Sequence, residues 1–228
     1  MVPLRPLLYF YQNHKQKVLQ SKEVQGAPLL GALERSSPLL YIMVGSSILP
    51  ACVYKGTLYF LFGKENDLAD TPGWSDFGGG VETGEDLFDA ALREGGEELT
   101  GFFGGETELR ALIKKHGGVY KKTVQTYNAH IFHYPYDPNL PIYYNNNHKF
   151  LWNRMEKKML NDTKLFEKIE VAWFSIEDIK KRRGEFRNFY QNIVDEIVKD
   201  ESKIRRFLSK GHKKSRKIKG GKNKTVRR

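Results

Sequence analysis

The run Gly79-Gly80-Val81-Glu82-Thr83-Gly84-Glu85 is followed, after seven residues, by Arg93-Glu94-Gly95-Gly96-Glu97-Glu98-Leu99-Thr100-Gly101. Glu94, Glu97 and Glu98 stand at i, i+3 and i+4, so a helix puts the three carboxylates on one face. Phe88, Ala91, Leu92, Gly95 and Leu99 fall on another face, which is apolar. Like charges at this spacing repel. A lone Glu-x-x-Glu-Glu would read as a solvated helix face. With a glycine-rich loop at fixed distance upstream, the acids read instead as donors for a hard divalent cation, Mg²⁺ or Mn²⁺. Arg93, one turn from Glu97, and Glu85, two turns before Arg93, are placed to pin this cluster from the side.

These residues resemble the signature box of the Nudix hydrolases, G-x5-E-x7-R-E-U-x-E-E-x-G-U, with U a bulky aliphatic residue. Gly79, Glu85, Arg93, Glu94, Glu97 and Glu98 match it. Gly95 replaces an aliphatic residue, Thr100 a glycine and Gly101 another aliphatic. Gly101 is expected to end the helix one residue late, since glycine readily takes the left-handed conformation. Close approach of helix to sheet would account for Gly95; the sequence offers no reason for Gly96.

The resemblance implies an α/β/α sandwich with a mixed β-sheet over residues 41–208. It implies Mg²⁺ or Mn²⁺ on Glu94, Glu97 and Glu98, with a backbone carbonyl of Gly78 or Gly79 as a further ligand, and Glu85 and Arg93 as supports. The implied reaction is water attack on a phosphoanhydride that joins a nucleoside diphosphate to another group. Two or more ions would neutralise the phosphates and align the water. The general base is Glu97, Glu98, or an acid outside the box. Glu170, in Lys168-Ile-Glu-Val-Ala-Trp-Phe-Ser175, is the outside candidate, because this segment is similar to the family's late strand, whose acid faces the box. Its other reading is an ordinary exposed strand residue.

Length and composition set bounds. A chain of 228 residues with 39% hydrophobic content fits one elaborated domain. A single cysteine, Cys52, excludes an internal disulfide framework and reads as a buried small hydrophobe. No run approaches a membrane span or a signal-peptide core. The expectation is a soluble intracellular protein, cytoplasmic or nuclear and not secreted. Of 38 Lys and Arg, 13 follow Glu201, where no Asp or Glu occurs; the preceding residues hold 25 basic and 27 acidic groups. From Ser209 on, the chain reads as an unstructured polybasic tail, with Lys213, Lys214, Arg216, Lys217 and Lys219 as its polyanion contacts. Nonspecific nucleic-acid contact, an import signal and an anionic surface all suit it.

Residues 1–40 read as an irregular extension with a short helix around 12–24. Strands are expected at 48–54 and 57–63 about a Lys55-Gly56 turn, at 122–134, and at 169–174. Helices are expected at 85–99, 106–116, 150–160 and 186–208, with a capping box at Ser175-x-x-Asp178 opening another. Residues 135–149 read as a loop. His130 and His133 face opposite sides of their strand and are poor joint ligands. Tyr134, Tyr136, Tyr143, Tyr144 and Trp152 pack or stack on a base, and Lys121, Lys122, Lys149 and Arg154 meet phosphates or solvent. Two functions follow: hydrolysis of a nucleotide-type small molecule or of capped mRNA, or noncatalytic polyanion and RNA binding on a Nudix scaffold.

Overall fold

A computed structural model describes residues 44–66, 69–156, 158 and 166–219, so the expected N-terminal extension lies outside the described residues. Strands β1 (Gly45–Tyr54) and β2 (Thr57–Glu65) form an antiparallel hairpin. Its turn has positive φ at both Lys55 (+47°) and Gly56 (+80°), the type I′ signature that suits the twist of the strands. β3 (Trp74–Ser75) pairs with β2, and β4 (Phe77–Gly80) pairs antiparallel with β1. β5 (Val119–Val124) and β6 (Tyr127–His133) form a second hairpin, and β6 runs parallel to β1. β7 (Lys168–Ser175) closes the other side against β2. The result is a seven-stranded mixed sheet.

Helices cover both faces. Ile48, Leu61, Phe77, Phe132 and Val171 bury one face with residues of α1 (Leu87–Glu98), α2 (Glu106–Lys115) and α3 (Leu140–Trp152). Leu49, Phe60, Phe62, Ile131 and Phe174 bury the other under α4 (Ile176–Lys181), α5 (Gln191–Lys199) and α6 (Glu201–Lys219). This is the expected three-layer α/β/α architecture. The capping box at Ser175 and Asp178 opens α4 as expected.

Four element expectations are corrected. The strand read at 122–134 is the β5–β6 hairpin, turning where Gln125 takes φ +53°. The loop read at 135–149 contains most of α3, because Pro141 stands in the first helical turn, where its missing N–H costs nothing. The helix read at 186–208 is a 3₁₀ turn at Asn188–Tyr190, then α5 and α6, parted at Asp200. There the Asp200 carboxylate accepts from Tyr120 OH (2.9 Å) and pairs with Lys122 (2.8 Å), so contacts from β5 fix the break. Finally, α6 runs past Ser209 to Lys219, carrying Lys213, Lys214, Arg216, Lys217 and Lys219 on helix rather than on an unstructured tail. Lys and Arg are good helix formers, and only Gly211 interrupts the run. Residues 220–228 lie outside the described residues.

Candidate active site

Helix α1 starts where the Asp86 carboxylate accepts from Phe88 N–H at 2.8 Å. Gly95 packs against β1 so closely that a Cβ there would overlap Ile48 Cδ1 and Cγ1, which accounts for the glycine. A Cβ on Gly96 would meet nothing closer than 3.7 Å, and the structure gives that glycine no steric reason. The helix ends in a Schellman motif: Thr100 N–H donates to Glu97 O and Gly101 N–H to Gly96 O, each at 2.9 Å. Gly101 takes the expected left-handed conformation at φ +69°, and Thr100 before it is left-handed as well, at φ +50°.

Arg93 locks the glycine strand to the helix. Its Nε and Nη2 grip both Glu85 oxygens at 2.9 and 3.0 Å, Nη2 donates to Gly80 O at 2.9 Å, and Nη1 reaches Glu94 Oε1 at 2.6 Å. Glu97 Oε2 is 3.7 Å from the same Nη1. The Glu85 hydrogen bonds and the Glu94 charge hold the guanidinium above its ordinary pKa. Glu94 rests on Gly79, where a Cβ would overlap its carboxylate. A side chain at Gly79 would thus displace the Glu94 carboxylate from its seat.

Glu98 is held differently. Its carboxylate is buried; Oε2 accepts from Gly78 N–H at 2.8 Å, and Oε1 is 3.1 Å from Lys168 Nζ. Burial pushes the Glu98 pKa well up, opposed by Lys168 and reinforced by the charges of Glu65 and Glu167. The Lys168 ammonium also pairs with Glu65 and donates to Ser75 Oγ at 2.9 Å. Arg187 in turn pairs with Glu65 at 2.6 Å. Lys168, Glu65, Ser75 and Arg187 escaped the sequence reading. A register shift between Lys64 and Glu65 inserts an extra residue into β7, so Lys168 points to the α1 face. Glu170 then lies opposite Lys64, on the face of Ala172 and Phe174 that packs under the C-terminal helices. The expectation that Glu170 faces the box is corrected: the strand offers the box a lysine.

Behind the glycine strand lies a cavity of about 460 Å³, lined by Gly78, Gly79, Gly80, Tyr127, Arg187 and Phe189 among others. At its wall Ser47 and Tyr127 hydroxyls donate to the buried Asp76 carboxylate, whose pKa burial pushes up to about 6. Of the five aromatics singled out above, Tyr143 is 62% exposed, whereas Tyr144 is buried, Tyr134 stacks on Phe103 and Tyr136 on Tyr54. Trp152 stacks on His148. Lys122 is tied to Glu196 and Asp200, and Arg154 lies over Phe150. His130 binds Ser47 O at 3.0 Å, and His133 meets His116. Cys52 is buried, with its thiol pushed up to about 12 by burial.

Among the described residues no three His, Cys, Asp or Glu side chains converge into a metal-holding group. The donors still suit Mg²⁺ or Mn²⁺. They are hard carboxylate oxygens, and the Glu94 carboxylate lies against the backbone at Gly79.

The NUDIX domain family matches residues 50–196, and the chain belongs to that family. Membership supports phosphoanhydride hydrolysis as the class of activity. Similar solved structures include a MutT protein from Methanosarcina mazei Go1, with 16% identity, coverage of 70% of this chain and 94% of that one, and a TM-score of 0.38. A C. elegans Ap4A hydrolase has 17% identity, coverage of 74% and 96%, and a TM-score of 0.34. A search of curated proteins finds no match. Among the described residues no helix is long and apolar enough to cross a membrane.

Proposed function

We propose that this protein is an Mg²⁺- or Mn²⁺-dependent hydrolase that cleaves the phosphoanhydride of a nucleoside-diphosphate-linked substrate. The observation that carries the reading is the Arg93 lock, which fixes Glu94 on Gly79 and sets Glu97 beside it. Glu94 and Glu97 are the residues that hold the ion, with Gly79 offering its carbonyl. A divalent ion supplies charge neutralisation on the phosphates and a more acidic bound water. Arg93 keeps the loop from drifting off the helix, so the positions of the acids are set before substrate arrives. Glu97 is the most exposed of the three acids, at 32% against 18% for Glu94 and 5% for Glu98. It is the group assigned to take the proton of the attacking water, because both Glu98 oxygens are engaged.

The cavity bounded by Gly78–Gly80 and Phe189 supports a nucleoside-bearing substrate. Capped mRNA is the member of this class favoured by the basic helix that follows the domain, since polycations hold RNA through its phosphates. A hydrolysis panel of capped RNA and small diphosphate-linked nucleotides tests the reading. Wild type should turn over at least one substrate only with Mg²⁺ or Mn²⁺ present, and Glu97→Gln should lower kcat at least 100-fold with a native melting curve. Folded wild type inert across the panel would leave the polyanion-binding alternative standing.

A further inference from the structure

Lys168 has no exposed surface, and such lysines persist only with charge partners. Its partners are Glu65, Ser75 and the box residue Glu98. The arrangement is built rather than incidental. Tyr144, itself buried, donates to Lys168 O at 3.1 Å and lies 3.3 Å from Glu98 O, tying β7 to the end of α1. The bulge in β7 turns the lysine toward Glu98, while the acid two residues later keeps the alternation of the strand and faces the other side. Two cations, Lys168 and Arg187, pair with two buried carboxylates, Glu65 and Glu98, so both acids already have a cation in contact, with the Glu167 charge acting on Glu98 as well. A dication added on Glu98 would meet a fixed ammonium in a medium that screens poorly.

Resting on the metal-dependent reading above, we propose that Lys168 is a resident cation of the site. It occupies Glu98 in place of a divalent ion, so the unliganded protein takes one such ion through Glu94 and Glu97 rather than several shared by all three acids. Glu98 then acts as a positioning residue, holding Gly78 and the glycine strand against α1.

Titrating the full chain with Mn²⁺, read by electron paramagnetic resonance of the free ion, tests this without any turnover. One Mn²⁺ is expected per chain. Glu98→Gln should change its affinity less than about threefold, whereas Glu94→Gln should weaken it at least tenfold. The charge-balanced pair Glu65→Gln/Lys168→Met, checked for a native melt, should admit a second ion. Two or more ions on wild type, or a tenfold loss on Glu98→Gln, overturns the proposal even if the double variant does not fold. Those results leave the hydrolase reading intact. Wild type that binds no Mn²⁺ overturns both.

Discussion

Thr100 shows how one residue can fill a glycine's place at a cost. A β-branched residue at φ +50° is held there by the two carbonyl contacts that close α1. The left-handed conformation costs an L-residue about 1–2 kcal/mol, part of which glycine gives back through its freer unfolded chain. Thr100→Gly should therefore stabilise the fold by about 1 kcal/mol, seen as a higher denaturant midpoint with an unchanged slope. Asp76 gives a pH signature. Its folded pKa, about 6, lies above its ordinary value of 3.8. Its contribution is thus fully present below pH 4 and is lost as pH rises through 6. Between pH 7 and pH 5 wild type should gain about 1 kcal/mol relative to Asp76→Asn, measured by chemical denaturation at both values. Neither feature could be read from the sequence. The motif reading gave the left-handed conformation to Gly101, which has it, but not to Thr100 before it, and Asp76 gains its burial from Ser47 and Tyr127, residues distant in the chain.

At the scale of elements, α1 was legible because its charge pattern and its apolar stripe both repeat at helical spacing. Its contact with β1 was half legible: Gly95 suggested close approach, and Ile48 supplies it. The two adjacent glycines separate cleanly by experiment. Gly95→Ala forces a methyl into Ile48 and should destabilise by about 1–3 kcal/mol. Gly96→Ala finds room and should stabilise by up to about 1 kcal/mol. Equilibrium denaturation of both variants checks the pair, and equal effects would mean that helix propensity alone governs this face. The place of Lys168 was not legible, because a period of two holds only along an unbroken ladder and the extra residue beside Glu65 breaks it; Glu170 was placed by the resemblance alone. That single slip brought Lys168 to the site, whereas Glu170 faces away by simple alternation with Ala172 and Phe174. The helix α3 was missed for another reason: its segment is rich in Pro, Tyr and Asn and reads as a loop, yet Pro141 stands in the opening turn, where it is tolerated.

At the scale of the whole molecule, the layered fold followed from the order of patterned segments, while the extent of the basic segment did not. α6 extends the domain's second face and then carries the cationic run beyond it to Lys219. Truncation after Leu208 should leave turnover of small nucleotides within about twofold. It should weaken apparent affinity for a capped RNA at least tenfold at low salt, with the difference shrinking as salt is raised. Steady-state KM values for the two substrates at two ionic strengths decide it.

The central pairing of β1 with β6 joins segments about 80 residues apart, Ser46 lying opposite Asn128. The β1–β2 and β5–β6 hairpins can form locally, but joining them must wait on a contact that local chain motion rarely makes. The Gly79–Gly101 segment can coil early, and β4 finds its partner β1 about 30 residues back, but the sheet stays open on the other side of β1 until that distant partnership exists. Nascent chains released before β6 and β7 are synthesised would carry the acids on an incomplete sheet, without Lys168 beside Glu98, so the protein gains its reactivity late in its own assembly.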